Sequence, residues 1–223
     1  MQTSERRQQL GDALIRAAER AIGERGLSGL KARDLAQEVG CAVGAIYNVF
    51  ADLDELVLRA NLRTLAKFEA VIEASPAASK RSGGAGRAEA AVADLIRLAE
   101  VYLQFASEHR LAWRALFEHR MAGGRPPPDW YMKEQVRLFR YIEEPLRALQ
   151  PDLGEEGRSL LARSLFSAVH GIVSLGLDEK LLALPIGVLR EQVETVVRAL
   201  GRGLAATPSG RSSGGGDCRA GER

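Results

Sequence analysis

Cysteine is nearly missing from this chain. Cys41 and Cys218 are the two present in 223 residues, which is too few to frame a disulfide-stapled domain. Histidine is as scarce, with His109, His119 and His170. The first two stand ten residues apart, which on a helix turns them to different faces and denies the i, i+4 pair of a helical metal site. There is no HExxH, no CxxC and no Gly-rich phosphate loop ending in Gly-Lys-Ser/Thr. A metal- or nucleotide-dependent enzyme is therefore not expected, and no cofactor is.

Charge of one sign is also lacking. The net charge is +2, and over residues 1–60 eight basic residues stand against nine acidic ones. Any contact with nucleic acid must rest on where charges sit, not on their sum. No charged-then-apolar leader opens the sequence, and no run approaches the roughly 20 apolar residues of a membrane span. A cytoplasmic protein with no membrane partner is the expectation. Aromatics make up 5% of the residues, whereas hydrophobic residues make up 46% and charged ones 27%, as in ordinary globular proteins. Alanine, leucine and arginine abound, and no strand signal or repeat survives the helical alternatives.

Residues 32–50, ARDLAQEVGCAVGAIYNVF, carry the most information. Leu35, Val39, Ile46 and Val49 are spaced to form the inner faces of two short helices, and Ala36 is small where the helices must cross. Gly40 falls at the turn, where a positive φ costs glycine nothing. That combination predicts a helix-turn-helix, a device for reading the DNA major groove. An ordinary helical hairpin would need the Gly alone.

Around this motif the pattern predicts an all-α protein of about nine helices. A first helix spans 5–25 and stops at Gly26. Asp52 caps a fourth helix, 53–75, with Glu55 completing a capping box. A Gly/Ser-rich loop at 77–87 precedes helices at 88–108 and 111–120, and Gly123 to Pro128 break the chain. A helix at 129–149 should kink or end late at Pro145. Helices at 155–177 and 185–204 follow, then a tail with the composition of disorder. Three regions result: a helix-turn-helix head (1–52), a helical regulatory and dimerisation body (53–205) and the tail (206–223).

The sequence resembles the tetracycline-repressor family of bacterial transcriptional regulators. The residues that carry the likeness are Gly26-Leu27, Arg33-Asp34-Leu35-Ala36, Val39-Gly40, Gly44-Ala45-Ile46-Tyr47, Phe50 and Asp54-Glu55-Leu56. Phe166 to Gly171 (FSAVHG), with Leu175 beyond, is similar to a subgroup motif in which a Trp stands at the place of Phe166. Three positions depart from the family pattern. Lys31 stands where Thr or Ser caps the second helix, Ala42 replaces a Ser opening the recognition helix, and Leu53 replaces a phosphate-contacting Lys.

With Ile46, Val49 and Phe50 assigned to the core, Val43, Gly44, Ala45, Tyr47 and Asn48 are left to face DNA. Asn48 suits an adenine edge, and Val43 or Ala45 a thymine methyl. The resemblance implies that Tyr47 donates to a phosphate, with simple packing as the alternative. Arg6, Arg7, Lys31 and Arg33 are the candidate phosphate anchors, although Arg33 suits a surface ion pair equally well. One head covers too few base pairs for useful specificity, so a palindromic operator and a homodimer are expected. Leu165, Val169, Ile172 and Val173 on one helix, with Leu189, Val193, Val196, Val197 and Leu200 on the next, form stripes that suit either a dimer surface or the subunit's own core. Tyr102, Phe105, Trp113, Phe117, Trp130 and Phe139 suit a pocket for a small-molecule effector or plain core. His170 suits the pocket or a hydrogen-bonded core position. The function implied is a DNA-binding regulator, a repressor released by an effector. Control by a protein partner, or none, is the alternative.

Overall fold

The computed structural model describes residues 2–77, 84–178 and 184–207. Cys218, the tail beyond Thr207 and residues 78–83 of the Gly/Ser-rich segment lie outside them. All regular structure within these ranges is helical. Helices α1 (Gln2–Arg25), α2 (Ala32–Val39) and α3 (Val43–Val49) form the head, and α4 (Leu53–Ala74) leads out of it. The body is built from α5 (Gly84–Glu108), α6 (Arg110–Glu118), α7 (Asp129–Arg137), α8 (Arg140–Leu149), α9 (Glu155–Gly176) and α10 (Ile186–Ala206).

Local chemistry sets the boundaries in the head. Gly26, at φ 70°, ends α1, and its N–H returns to the Ile22 carbonyl. Gly40, at φ 75°, ends α2, and Cys41 N–H reaches back 2.9 Å to the Ala36 carbonyl. Neither Lys31 nor Ala42 offers a side-chain cap, which agrees with their departure from the family pattern. Asp52 does cap α4. Its Oδ1 accepts from Glu55 N–H at 2.8 Å, and Glu55 Oε2 accepts from Ala51 N–H at 2.9 Å.

The head core joins Leu14, Ala17, Ala18 and Ile22 of α1 to Leu35, Ala36, Ile46 and Phe50, all buried. It does not stop at residue 52. Leu56, Val57 and Ala60 of α4 and Ala115 of α6 belong to the same cluster. Farther along, Phe68 of α4 packs against the body's core. One helix therefore contributes to both cores.

In the body, α5 is the central element and packs against α4, α6, α8, α9 and α10. The α10 backbone approaches α5 at Gly201, where a Cβ would lie 2.8 Å from Val92. Leu165, Val169, Val173, Leu189, Val193 and Val197 are buried in this core. This corrects the reading of those residues as a dimer surface, because a side chain already enclosed by its own subunit has no area to offer a second copy. Ile172 and Val196 are half-buried, and only Leu200 of the expected stripes is exposed.

The expected helix at 129–149 divides into α7 and α8 at Leu138 and Phe139, not at Pro145. Tight i→i+3 bonds (Phe139 to Val136, Tyr141 to Leu138) carry the chain around the break. Pro145 lies in the middle of α8, sixth of its ten residues, where its missing N–H removes one i→i−4 bond without ending the helix. Helix α9 also departs from expectation, being long and apolar enough by length and composition to cross a membrane. Its apolar residues cover two faces. One enters the core, and the other leaves Leu160 and Leu175 65% and 51% exposed.

Candidate nucleic-acid interface and ligand cavity

The division of α3 into inner and outer faces matches the sequence expectation. Ile46 is fully buried and Phe50 nearly so, while Val43, Gly44, Tyr47 and Asn48 are exposed and Ala45 is half-buried. Tyr47 keeps 52% of its surface, which disposes of simple packing as its role. No neighbour lies within 4 Å of the position a Cβ would take on Gly44. A glycine inside a helix costs about 1 kcal/mol relative to alanine, and here no packing inside the protein requires it.

Charge around this face is divided between occupied and available groups. Arg20 pairs with Glu38, and Arg63 and Lys67 pair with Glu19. Those two cations hold the Glu19 carboxyl below its ordinary range, although burial, the largest single influence, pulls the other way. Arg6, Arg7, Lys31 and Arg33 are exposed and make no ion pair among the described residues. The ion pair considered for Arg33 is not formed.

The body contains a cavity of about 400 Å³. Its walls come from α4 (Leu65, Phe68, Ile72), α5 (Leu95, Tyr102, Phe105), α6 (Trp113, Phe117), the α7–α8 break (Gln135, Leu138, Phe139, Tyr141) and α9 (Leu165, Phe166, Val169). Of the residues expected at a pocket, Tyr102, Phe105, Trp113, Phe117 and Phe139 line it. Trp130 does not. It sits outside, with the Arg59 guanidinium 4.4 Å over its ring. His170 is also displaced from the lining. It stands behind the wall, where its Nδ1 shares a 2.7 Å hydrogen bond with the Tyr102 hydroxyl, and that hydroxyl accepts from Trp113 Nε1 at 2.9 Å. Burial raises the Tyr102 hydroxyl far above the usual phenol range and lowers His170. The chain Trp113–Tyr102–His170 is therefore uncharged at neutral pH and braces the wall from behind. Phe68, Phe166 and Gln135 were missed as lining residues, whereas Tyr141, one of the middle-chain aromatics expected at a pocket or in plain core, does line it. Phe68 continues the apolar face of α4 and Phe166 that of α9, but nothing in their spacing says that the space between those faces stays open.

The helix that links the two sites is tied to the body along its length. At its start, Arg125 donates to Asp52 Oδ2 at 2.7 Å, Asp54 Oδ2 accepts from Ala122 N–H at 2.7 Å, and His119 Nε2 lies 3.5 Å from Asp54 Oδ1. The Arg125 hydrogen bond draws Asp52 below the usual carboxylate range. Midway, the buried Asn61 donates to the Ala115 carbonyl at 3.2 Å. Near its end, Glu69 accepts from Arg140 at 2.7 Å and pairs with Arg137, while the Tyr141 hydroxyl donates to Glu73 at 2.7 Å. Exposed pairs of this kind contribute only about 0–1 kcal/mol each. Their effect here is to fix the position of α4 relative to the segment that closes the cavity.

Among the described residues no group of three or more His, Cys, Asp or Glu could hold a metal ion. No curated protein matches the chain. A protein of unknown function from Rhodococcus sp. RHA1 is similar at 26% identity and TM-score 0.59, over 88% of this chain and 95% of that one. The multidrug binding protein EbrR, solved with imidazole, shares 23% identity and a TM-score of 0.58, over 89% and 96%. A tetR-family transcription regulator from Shewanella sp. PV-4 shares 19% identity and a TM-score of 0.59, over 86% and 95%. Residues 14–60 match the sequence profile of bacterial regulatory proteins of the tetR family, and residues 95–200 match the tetracyclin repressor-like C-terminal domain. With a recognition helix displayed from a three-helix head and a helical body behind it, this chain belongs to the tetR family and is a DNA-binding transcriptional regulator.

Proposed function

We propose that this protein is a homodimeric repressor released from a palindromic operator when a small molecule fills the body's cavity. The observation that carries this reading is the double membership of α4. Its first turns are part of the core beneath the recognition helix, and its later turns form a wall of the cavity. A ligand that fits one position of α4 better than another shifts the population of head spacings, and only one spacing suits two half-sites of DNA.

At the operator, Asn48 reads an adenine edge, Val43 and Ala45 meet thymine methyl groups, and Tyr47 donates to a phosphate. The unpaired Arg6, Arg7, Lys31 and Arg33 supply the electrostatic grip that the uncharged α3 lacks. For the dimer, the supporting feature is the outer face of α9 and α10. Leu160, Leu175, Ile186 and Leu200 are exposed there, and Ser164, Ser167, Gly171 and Gly203 lie between them as small residues that let helices approach. Two such helices from each subunit form a four-helix contact.

Selection of bound DNA from a random pool, repeated with candidate ligands, tests the proposal. A selected palindrome whose affinity falls when a ligand is added is the expected result. If no small molecule changes operator affinity while the dimer stays intact, the proposal fails.

A further inference from the structure

A cavity wall records the chemistry of what it encloses through the groups it leaves unpaired. None of the residues lining this cavity is charged. On the helices that wall it, Glu69 of α4 is paired with Arg137 and Arg140. An ion moved from water into such a space loses its hydration and meets no counter-charge, so it must neutralise or stay out.

The lining holds few polar groups, and most are already engaged. The Tyr102 hydroxyl serves Trp113 and His170, and the Tyr141 hydroxyl is turned to Glu73. Gln135 differs. Its Nε2 donates to the Tyr131 hydroxyl at 3.1 Å, which orients the amide, while its Oε1 takes no hydrogen bond among the described residues. Tyr131 is 3% exposed and anchors the Gln135 amide from inside the protein. With its Nε2 held by Tyr131, Gln135 has its carbonyl left as the acceptor that this otherwise apolar, aromatic lining can offer to one donor.

We infer that the cavity takes an uncharged, aromatic-rich ligand carrying a single hydrogen-bond donor, such as a phenol, which Gln135 reads through its side-chain carbonyl. The inference rests on the cavity being the effector site. It goes further in naming the ligand's charge state and the residue that sets its polarity. The Phe, Tyr and Trp rings of the lining suit flat rings in offset or edge-on contact.

The test uses the full chain with Trp130→Phe, so that quenching reports on Trp113 in the cavity wall. The probes share one skeleton: biphenyl, biphenyl-4-ol, 4-methoxybiphenyl, biphenyl-4-carboxylate and biphenyl-4-ylmethylammonium. The uncharged probes are expected to bind at least about tenfold more tightly than either ion. Biphenyl-4-ol should exceed 4-methoxybiphenyl by about fivefold, the effect of one net hydrogen bond. In Gln135→Met the phenol and the ether should bind alike, with binding of plain biphenyl reporting that the cavity is intact. An ion that binds as tightly as the hydrocarbon overturns the uncharged class, as does failure of every probe to quench Trp113. A phenol preference that survives Gln135→Met overturns the role of Gln135. Release of selected operator DNA is followed separately. A probe that binds without releasing DNA counts against the repressor mechanism alone, and a charged molecule that releases DNA counts against the ligand class alone.

Discussion

The head and the body of this protein solve packing in opposite ways. The head buries small residues, Ala17, Ala18, Ala21 and Ala36, between helices that touch closely. The body uses its largest side chains and leaves about 400 Å³ unfilled among them. A tight, small-residue core holds α3 in one orientation, as base recognition requires. A loose aromatic core costs stability but can accept a guest. The close-packed core lies beneath the recognition helix, and the free volume lies in the body.

The largest expected effect that sharpens this contrast is on stability. Leu35→Ala, in the fully buried head core, should lower unfolding free energy by roughly 3–4 kcal/mol. Phe139→Ala, on the cavity wall, should cost less than half of that, because its ring already faces empty space on one side. Chemical denaturation of both variants measures the difference, and equal losses would erase the distinction between the two cores.

On the DNA side, Tyr47→Phe combined with Asn48→Ala should weaken binding to the selected operator by about 1–3 kcal/mol for the base contact alone, roughly fivefold or more, without changing the denaturation midpoint. Operator affinity that survives both changes would show that another face meets the DNA.

Gly44→Ala is expected to move stability and binding in opposite directions. The helix gains about 0.8–1 kcal/mol of intrinsic propensity, while the added methyl stands in the gap that the groove fills. A rise in thermal midpoint with a fall in operator affinity is the expected pair. A rise in both would mean that the open space over Gly44 is not used.

The smallest effect concerns pH and the body. Burial lowers the pKa of His170 and, against the pull of Asp54, that of His119. Between those lowered values and the unfolded value near 6.5, the unfolded chain holds more protons than the folded one, so stability rises with pH across that window. The stabilisation is complete above about pH 6.5 and is lost on acidification towards the folded values. His170→Gln keeps an acceptor for Tyr102 but cannot titrate. Its stability should fall less steeply than the parent's from pH 7 to 5, and parallel slopes would contradict the assignment.

Much of the head was legible because its signals are local. Gly26 and Gly40 stop helices through their own backbone conformation, and Asp52 with Glu55 starts one through bonds spanning a few residues. The inward set Leu35, Ile46 and Phe50 is fixed by helical period. The body was legible only as helices. The stripe from Leu165 to Val197 could not be divided between the subunit core and an outer face, since period alone does not say which neighbour covers a stripe. Trp130 and His170 were grouped with the cavity as members of an aromatic, middle-chain set. Tertiary packing sent Trp130 to Arg59 and His170 behind Tyr102.

The sequence by itself determined the helical class, the helix-turn-helix and the residues it displays, because these depend on spacings shorter than two helices. The tertiary structure decided that α4 serves both cores, that free space remains between α4, α5, α7 and α9, and that Gln135, held by Tyr131, lines that space. Each of these depends on side chains brought together from far apart in the chain, where volume and hydrogen-bond partners are set by how helices cross and not by the order of residues along any one of them.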